Sequence, residues 1–198
     1  MFDIADTVPG NYTGLMPDWE LIPVPIPEPL WNLSAAQLLG SSSKLWRGIR
    51  AEVLAAASNT CQTCGRPVRD GKGLVCDEVW DYQEAGQLNV ARLVAMRALC
   101  PLCDRSRHPG MAGLISSRIP PYMQLMRVNH WGHAQAEAAV ARAWADWQRR
   151  SQLVWVLDVV PELLGRWPVL RPLVGQVGEP GDGTRRVALR RAGMPRRS

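Results

Sequence analysis

The sequence predicts an α+β fold, and three observations lead to this prediction. Two Cys-x-x-Cys motifs, Cys61 to Cys64 and Cys100 to Cys103, mark the ends of one segment. Much of that segment consists of β-forming residues around a turn-like sequence, which predicts a β-hairpin. Apolar residues at helical spacing precede and follow it. The hairpin would fold the chain back and bring the second cysteine pair beside the first.

The two cysteine pairs predict a metal site. Each pair has the spacing that directs two thiolates at one ion, and together Cys61, Cys64, Cys100 and Cys103 supply the four soft ligands of a structural Zn2+ site. The acidic N-terminus does not resemble a secretory signal. We therefore expect metal-bound cysteines in a reducing compartment and a cytoplasmic protein. Cys76, the fifth cysteine, is expected to be a buried strand residue.

Composition and charge limit the function classes. With 198 residues and 46% hydrophobic composition, the chain can bury one core with appendages. No apolar run reaches the roughly 18 to 20 residues that span a bilayer, so we expect no membrane partner. The net charge of +5 is uneven, because residues 185–198 hold six arginines and no acid while the rest sums to about −1. This tail suits phosphate backbones or an acidic partner, although a merely solubilising terminus has the same composition.

The elements can be predicted in chain order. Six prolines in residues 1–30 indicate an extended arm laid over the domain, with Leu30 and Trp31 as its first anchors. A proline-rich ligand for a partner protein is the alternative. A helix follows, with its N-cap in Ser41–Ser43. The remaining predicted elements are strands at Leu74–Tyr82 and Gln87–Leu99, helices at Pro101–His108, Pro121–Asn129 and His133–Ser151, and a strand at Leu153–Val160, with irregular chain after Leu164.

Two longer motifs carry a family resemblance. The hairpin contains Cys-Asp-Glu-Val-Trp-Asp-Tyr at residues 76–82, and the second cysteine pair lies within Ala-Leu-Cys-Pro-Leu-Cys-Asp-Arg-Ser-Arg-His at residues 98–108. The chain thereby resembles a bacterial and phage group of HNH-endonuclease-like proteins whose motifs read Cys-His-Glu-Val-Trp-x-Tyr and Ala-Leu-Cys-Pro-x-Cys-His-x-x-x-His. The similarity extends over residues 20 to 160 and implies an α+β fold with a zinc-stabilised ββα-metal core.

The predicted division of the chain combines the elements with this resemblance. We expect an extended proline-rich arm (1–40), a zinc-stabilised HNH-like core (41–118), a helical subdomain with a strand (119–165), and an irregular extension with a basic, arginine-rich tail (166–198).

The catalytic positions implied by the resemblance are substituted. An HNH nuclease needs a histidine base at the end of the first hairpin strand and ligands that hold one divalent cation on the scissile phosphate. Asp77 stands at the base position and Asp104 at a metal-binding histidine position, while His108 matches the pattern. The asparagine that orients the base has no equivalent near Ala95. An aspartate, with an ordinary pKa of about 3.9, is a far weaker base at neutral pH than an imidazole.

Two interpretations follow from these substitutions. In the first, the nuclease centre is degenerate and the zinc scaffold persists as a binding platform. In the second, Asp77, Asp104 and His108 hold Mg2+ or Mn2+ in a rebuilt site. We favour the first, because a ligand set without a base explains binding better than turnover.

The expected function is nucleic-acid binding, of DNA or RNA, by a subunit of a larger assembly with protein partners, one setting being an RNA-guided CRISPR-type defence complex. The alternatives are an active Mg2+- or Mn2+-dependent endonuclease and a zinc adaptor that binds only protein. The arginines expected to contact phosphates are Arg66, Arg69, Arg105, Arg107, Arg185, Arg186, Arg190 and Arg191.

Overall fold

The computed structural model describes residues 20–68, 73–85, 88–108 and 121–181. They form a mixed α+β fold around a four-stranded sheet with the strand order β1-β2-β3-β4. In chain order the elements are α1 (Ala35–Leu38), α2 (Lys44–Ala56), β1 (Val75–Ala85), β2 (Leu88–Leu99), α3 (Pro101–Arg107), α4 (Pro121–Asn129), α5 (His133–Arg150), β3 (Trp155–Val159), α6 (Pro161–Arg166) and β4 (Val177–Gly178).

The β1–β2 hairpin is the longest part of the sheet, and its prediction is confirmed. Its strands are antiparallel, Asp77 lies opposite Arg97, and the register shifts at a bulge between Val79 and Trp80. Strand β3 runs parallel to β2 and alternates buried and half-buried residues, as expected for a strand with one face on the core. The hairpin therefore delivers the chain from the first cysteine pair to the second.

The predicted helices are also confirmed. Helix α2 begins after Ser43, whose side chain accepts a hydrogen bond from the Trp46 amide. Its buried stripe, which includes Ile49 and Val53, packs into the same core as Cys61 and Cys100. Among the described residues, no helix combines the length and apolar character needed to cross a bilayer.

The described part of the predicted arm, residues 20–40, lies over the domain, but it is not extended throughout, since it contains a 3₁₀ helix at Glu28–Leu30 and helix α1. Its first anchor is Leu21, which is fully buried, whereas the expected anchor Trp31 is 39% exposed. The carbonyl of Ile26 accepts hydrogen bonds from the indoles of Trp31 (2.9 Å) and Trp147 (3.1 Å). Alternating prolines cannot form a sheet ladder, and side-chain donors satisfy the carbonyls of Leu21 and Ile26 instead.

The segment after Leu164 differs from the expected irregular extension. It contains a 3₁₀ helix at Pro168–Leu173 and strand β4, and its residues Trp167, Leu170 and Leu173 are buried in the main core. Their spacing of three residues is the period of a 3₁₀ helix, in which Pro168 occupies the first turn and Pro172 lies in the interior. The predicted boundary at residue 166 thus cuts through core structure. The arginine-rich tail lies outside the described residues.

Gly178 in β4 gives a test of how the arm docks. A Cβ atom there would lie 2.5 Å from the carbonyl oxygen of Pro29 in the arm. We expect Gly178→Ala to lower the free energy of unfolding by about 1–3 kcal/mol in chemical denaturation, since backbone must move to relieve the overlap. Gly165→Ala is the matched control: its Cβ would meet no atom within 4 Å. An equal loss in both variants would contradict the close approach of β4 and the arm.

Candidate metal centre and the adjoining Asp77 cluster

The structure brings the four predicted zinc ligands together. The sulfurs of Cys61, Cys64, Cys100 and Cys103 all lie within 4.8 Å of one another, and three of the four residues are buried. The Cys64 and Cys100 sulfurs are 3.7 Å apart. Tetrahedral zinc with bonds of about 2.3 Å requires sulfurs about 3.8 Å apart, so the donor set fits the ion.

Backbone hydrogen bonds shape the first cysteine pair into a tight loop. The Cys61 amide donates to the Arg66 carbonyl, and the Gly65 amide donates to the Cys61 carbonyl, both at 2.9 Å. Gly65 has a φ of 68°, in the left-handed region that favours glycine. Gln62 joins this loop to the end of β2, because its amide donates to the Ala98 carbonyl and its side chain accepts from the Ala98 amide. The hairpin end therefore sets the distance between the two pairs.

The second cysteine pair lies at the start of α3. Cys100 is the N-cap residue, Pro101 occupies the first turn, and Cys103 follows within that turn. Hydrogen bonding by Cys103 lowers the pKa of the Cys100 thiol to about 6, and hydrogen bonding by Cys100 raises the pKa of Cys103. Four thiolates cannot share this space without a compensating charge. A divalent cation would supply that charge.

One contact to this centre could not be predicted from the cysteine spacing. The side-chain amide of Gln124, in α4, donates a hydrogen bond to the Cys103 sulfur at 3.2 Å. Gln124 is 3% exposed, and its carbonyl oxygen accepts from Arg127 at 3.1 Å. The only sequence signal is a polar residue among the apolar positions of a short helix.

Asp77, Asp104 and His108 form a second cluster, which is the grouping that the rebuilt metal site requires. One ligand atom from each lies within 4.8 Å of the others. Asp77 is buried, and its Oδ1 lies 2.9 Å from His108 Nε2. Strand β1 supplies Asp77, the first turn of α3 supplies Asp104, and the C-cap of α3 supplies His108. The hairpin and the helix after the second cysteine pair therefore meet at this cluster.

Two arginines neutralise Asp77 from the other side. The Nε atoms of Arg97 and Arg107 lie 2.9 and 3.0 Å from Asp77 Oδ2. Arg97, opposite Asp77 on β2, was not predicted as a site residue. Arg107 was expected to contact phosphates, but its side chain is only 8% exposed and faces Asp77. The buried guanidinium is therefore committed to an internal ion pair.

The charges in this cluster stabilise Asp77 as an anion. Burial alone raises the pKa of Asp77, but the His108 hydrogen bond and the Arg107 and Arg97 charges outweigh it and lower the pKa to about 2. Asp104 behaves differently, since burial and the charge of Asp77 raise its pKa despite opposing effects of nearby cations. The two carboxylates are therefore not equivalent: nearby cations stabilise the ionised form of Asp77, whereas the ionised form of Asp104 is disfavoured.

The N-terminal arm closes the cluster at His108. The Val24 amide donates to the Arg107 carbonyl at 2.6 Å, and the Val24 carbonyl lies 3.0 Å from His108 Nδ1. Both ring nitrogens of His108 thus face oxygen acceptors, Val24 on one side and Asp77 on the other. A metal ion at either ring nitrogen would have to displace one of these oxygen contacts.

The other arginines expected to contact nucleic acid divide into two groups. Arg66 is exposed beside the first cysteine pair. Arg105 is half-buried, and its Nε donates to the Pro101 carbonyl at 3.0 Å. The remaining predicted contacts lie outside the described residues: Arg69, Arg185, Arg186, Arg190 and Arg191.

Comparisons with known proteins provide no family assignment. No family model matches the chain, and neither the curated proteins nor the solved structures include a significant match.

The zinc assignment predicts a specific response to cysteine substitution. Metal analysis of the purified chain should find one zinc per molecule, and Cys61→Ser should lose the metal and the cooperative thermal transition, because the ion contributes directly to folding. Cys76→Ser is the matched control, since Cys76 is buried but not a member of the cluster. It should retain zinc. A native transition in the metal-free wild type would contradict the assignment.

Proposed function

We propose that this chain is an HNH-like nucleic-acid-binding protein whose nuclease centre has become a fixed ion-pair cluster, and that it acts as a subunit of a larger nucleic-acid-processing assembly. The β1–β2 hairpin, the following helix α3 and the cysteine pairs at the hairpin base support the HNH-like part. The hairpin and α3 also place Asp77 and His108 in contact, as two facing site residues of an HNH centre would be.

The ion pairs of Asp77 carry the proposal of an inactive centre. A catalytic divalent cation beside Asp77 would have to approach the guanidinium groups of Arg97 and Arg107, and like charges repel strongly in a buried site. Asp77 already receives its compensating charge from the protein. It is also a poor general base, because its pKa of about 2 leaves it little affinity for a proton at neutral pH.

Charge distribution supports nucleic-acid binding. The six arginines of residues 185–198 make the chain basic, while residues 1–184 sum to about −1. Arg66, exposed at the first cysteine pair, and Arg105, on α3, add cations beside the candidate metal centre. Arg107 is excluded from the proposed phosphate contacts, because it is buried against Asp77. Such contacts bind phosphates without reading sequence, which suits a subunit that positions nucleic acid within an RNA-guided complex.

An active endonuclease is the second candidate, because Asp77, Asp104 and His108 place ligand atoms within 4.8 Å of one another. A metal site would use both carboxylates, whereas the ion-pair cluster depends on Asp77 alone. The two carboxylates therefore separate the two candidates.

Substituting each carboxylate in turn tests the ion-pair cluster. Asp77→Asn leaves two buried guanidinium groups without their counter-charge and should lower the free energy of unfolding by about 3–5 kcal/mol. Asp104→Asn should cost little or stabilise slightly, because burial and Asp77 oppose ionisation of Asp104. Urea denaturation of each purified variant at neutral pH measures both effects.

The same proteins show whether the cluster binds Mn2+. We expect Mn2+ neither to raise the melting temperature of the wild type nor to support plasmid cleavage. Manganese-dependent stabilisation and cleavage that both disappear in Asp104→Asn would establish the endonuclease and reject the inactive centre.

Nucleic-acid binding should depend steeply on salt. In fluorescence anisotropy with labelled single- and double-stranded oligonucleotides, log K should fall linearly with log salt concentration. Replacing all six arginines of residues 185–198 with glutamine should make that slope shallower by up to about five on double strands, and Arg66→Gln by about one. If the wild type shows no salt-sensitive binding, the protein-binding zinc adaptor becomes the better interpretation.

A further inference from the structure

We infer that Gln124 is an outer-sphere residue of the four-cysteine centre. Through this contact, helix α4 couples the bound metal to the N-terminal arm, so that the metal stabilises the position of the arm over His108. The inference rests on the zinc site and not on nucleic-acid binding. It assigns α4 the role of a link between the two clusters.

The contact of Gln124 with Cys103 has the geometry of an outer-sphere hydrogen bond. The amide nitrogen lies 3.2 Å from the sulfur, and the residue is 3% exposed. Arg127 donates to the amide oxygen, which fixes the amide with its NH2 group toward Cys103. Donors to coordinated thiolates stabilise their negative charge and orient the ligand. Gln124 therefore contacts the metal centre without being a ligand.

The strength of this bond depends on the metal. A zinc-bound cysteine is a thiolate, which accepts a hydrogen bond far better than a neutral thiol does. The ion would also fix the position of the Cys103 sulfur, which lies 3.2 Å from the Gln124 amide nitrogen. Metal loss thus weakens the hydrogen bond that Gln124 donates and removes a constraint on α4.

The other end of α4 holds the arm. Asn129 donates from its amide nitrogen to the Leu21 carbonyl at 2.9 Å, and its carbonyl oxygen accepts from the Leu21 amide at 2.8 Å. One side chain thereby replaces a sheet partner for this arm residue. Gln124 and Asn129 belong to the same helix, about 7.5 Å apart along its axis. A displacement of α4 at its contact with the Cys103 sulfur would therefore also displace the Asn129 contacts with the arm.

Three residues after Leu21, the arm reaches the Asp77 cluster. The Val24 carbonyl oxygen lies 3.0 Å from His108 Nδ1, and the Val24 amide donates to the Arg107 carbonyl at 2.6 Å. The contacts from Cys103 through Gln124, Asn129 and Leu21 to Val24 are thus continuous. Hydrogen bonds form the steps at the two ends of α4, the helix connects them, and a short extended stretch of the arm leads from Leu21 to Val24, so we expect the metal and the arm to be energetically coupled. Zinc stabilises the covered state of His108.

Two substitutions on α4 test the link at its two ends. Gln124→Leu keeps the bulk but removes the donor to Cys103, so zinc should dissociate about 10-fold faster in a chromogenic-chelator assay. The sulfur-to-cobalt charge-transfer band of the Co2+-substituted chain should also shift. Hydrogen exchange read by mass spectrometry should show faster exchange of the Leu21 and Val24 amides. Asn129→Leu should accelerate that exchange while leaving the cobalt band and the zinc off-rate unchanged.

Met123→Leu is the control, because Met123 lies next to Gln124 but is 53% exposed. It should match the wild type in all three measurements. Unchanged zinc release and an unchanged cobalt band in Gln124→Leu would overturn the outer-sphere role. Altered zinc release with an unchanged arm would overturn the link.

A second experiment keeps the inference testable if Gln124→Leu does not fold. In the wild-type chain, partial zinc removal by a chelator should accelerate exchange of the Leu21 and Val24 amides before that of the β2 amides. Simultaneous exchange of arm and strand would overturn the link. A wild-type chain that contains no zinc would instead reject the metal site, independently of any result on nucleic acid.

Discussion

The buried carboxylate of Asp77 is the constraint on which the arrangement around the hairpin depends. A charge with 2% of its side chain exposed is costly unless it is paired and hydrogen-bonded. Here three partners come from two elements: Arg97 from β2, and Arg107 and His108 from the end of α3. One aspartate thereby fixes the register of the hairpin relative to the helix. The arm completes the cluster, because Val24 contacts the backbone of Arg107 and the ring of His108.

The negative charge of each cluster is balanced in a different way. As thiolates the four cysteines would concentrate negative charge, so their geometry makes sense with a bound cation. Asp77 is balanced internally by guanidinium groups that cannot be released or exchanged. This difference explains why a similar grouping of potential ligands supports metal binding at one cluster and argues against it at the other. Ligand proximity alone does not distinguish them.

The sequence allowed prediction of the parts that depend on local pattern. Cysteine spacing predicted the ligand set, and β-forming residues around a turn predicted the hairpin that joins the pairs. Arg97 and Gln124 could not be predicted, because the role of each depends on a residue distant in sequence. Arg97 contacts Asp77 on the paired strand, and Gln124 contacts Cys103 on another helix. The core segment at Trp167 to Leu173 was missed for a local reason, since Pro168 and Pro172 were interpreted as breaks although the 3₁₀ helix contains both.

The substitution at residue 77 and the arginines around it form one electrostatic unit. A histidine at this position, as in the motif that the hairpin resembles, would face Arg97 and Arg107 without a negative charge to neutralise them. Its neutral form would be strongly favoured, and two buried cations would remain uncompensated. An imidazole base and these arginines are therefore incompatible in the same packing. Under the proposed function, the inactive centre is thus a property of the whole cluster, and a working nuclease centre would require neutral residues at positions 97 and 107 as well as a base at position 77.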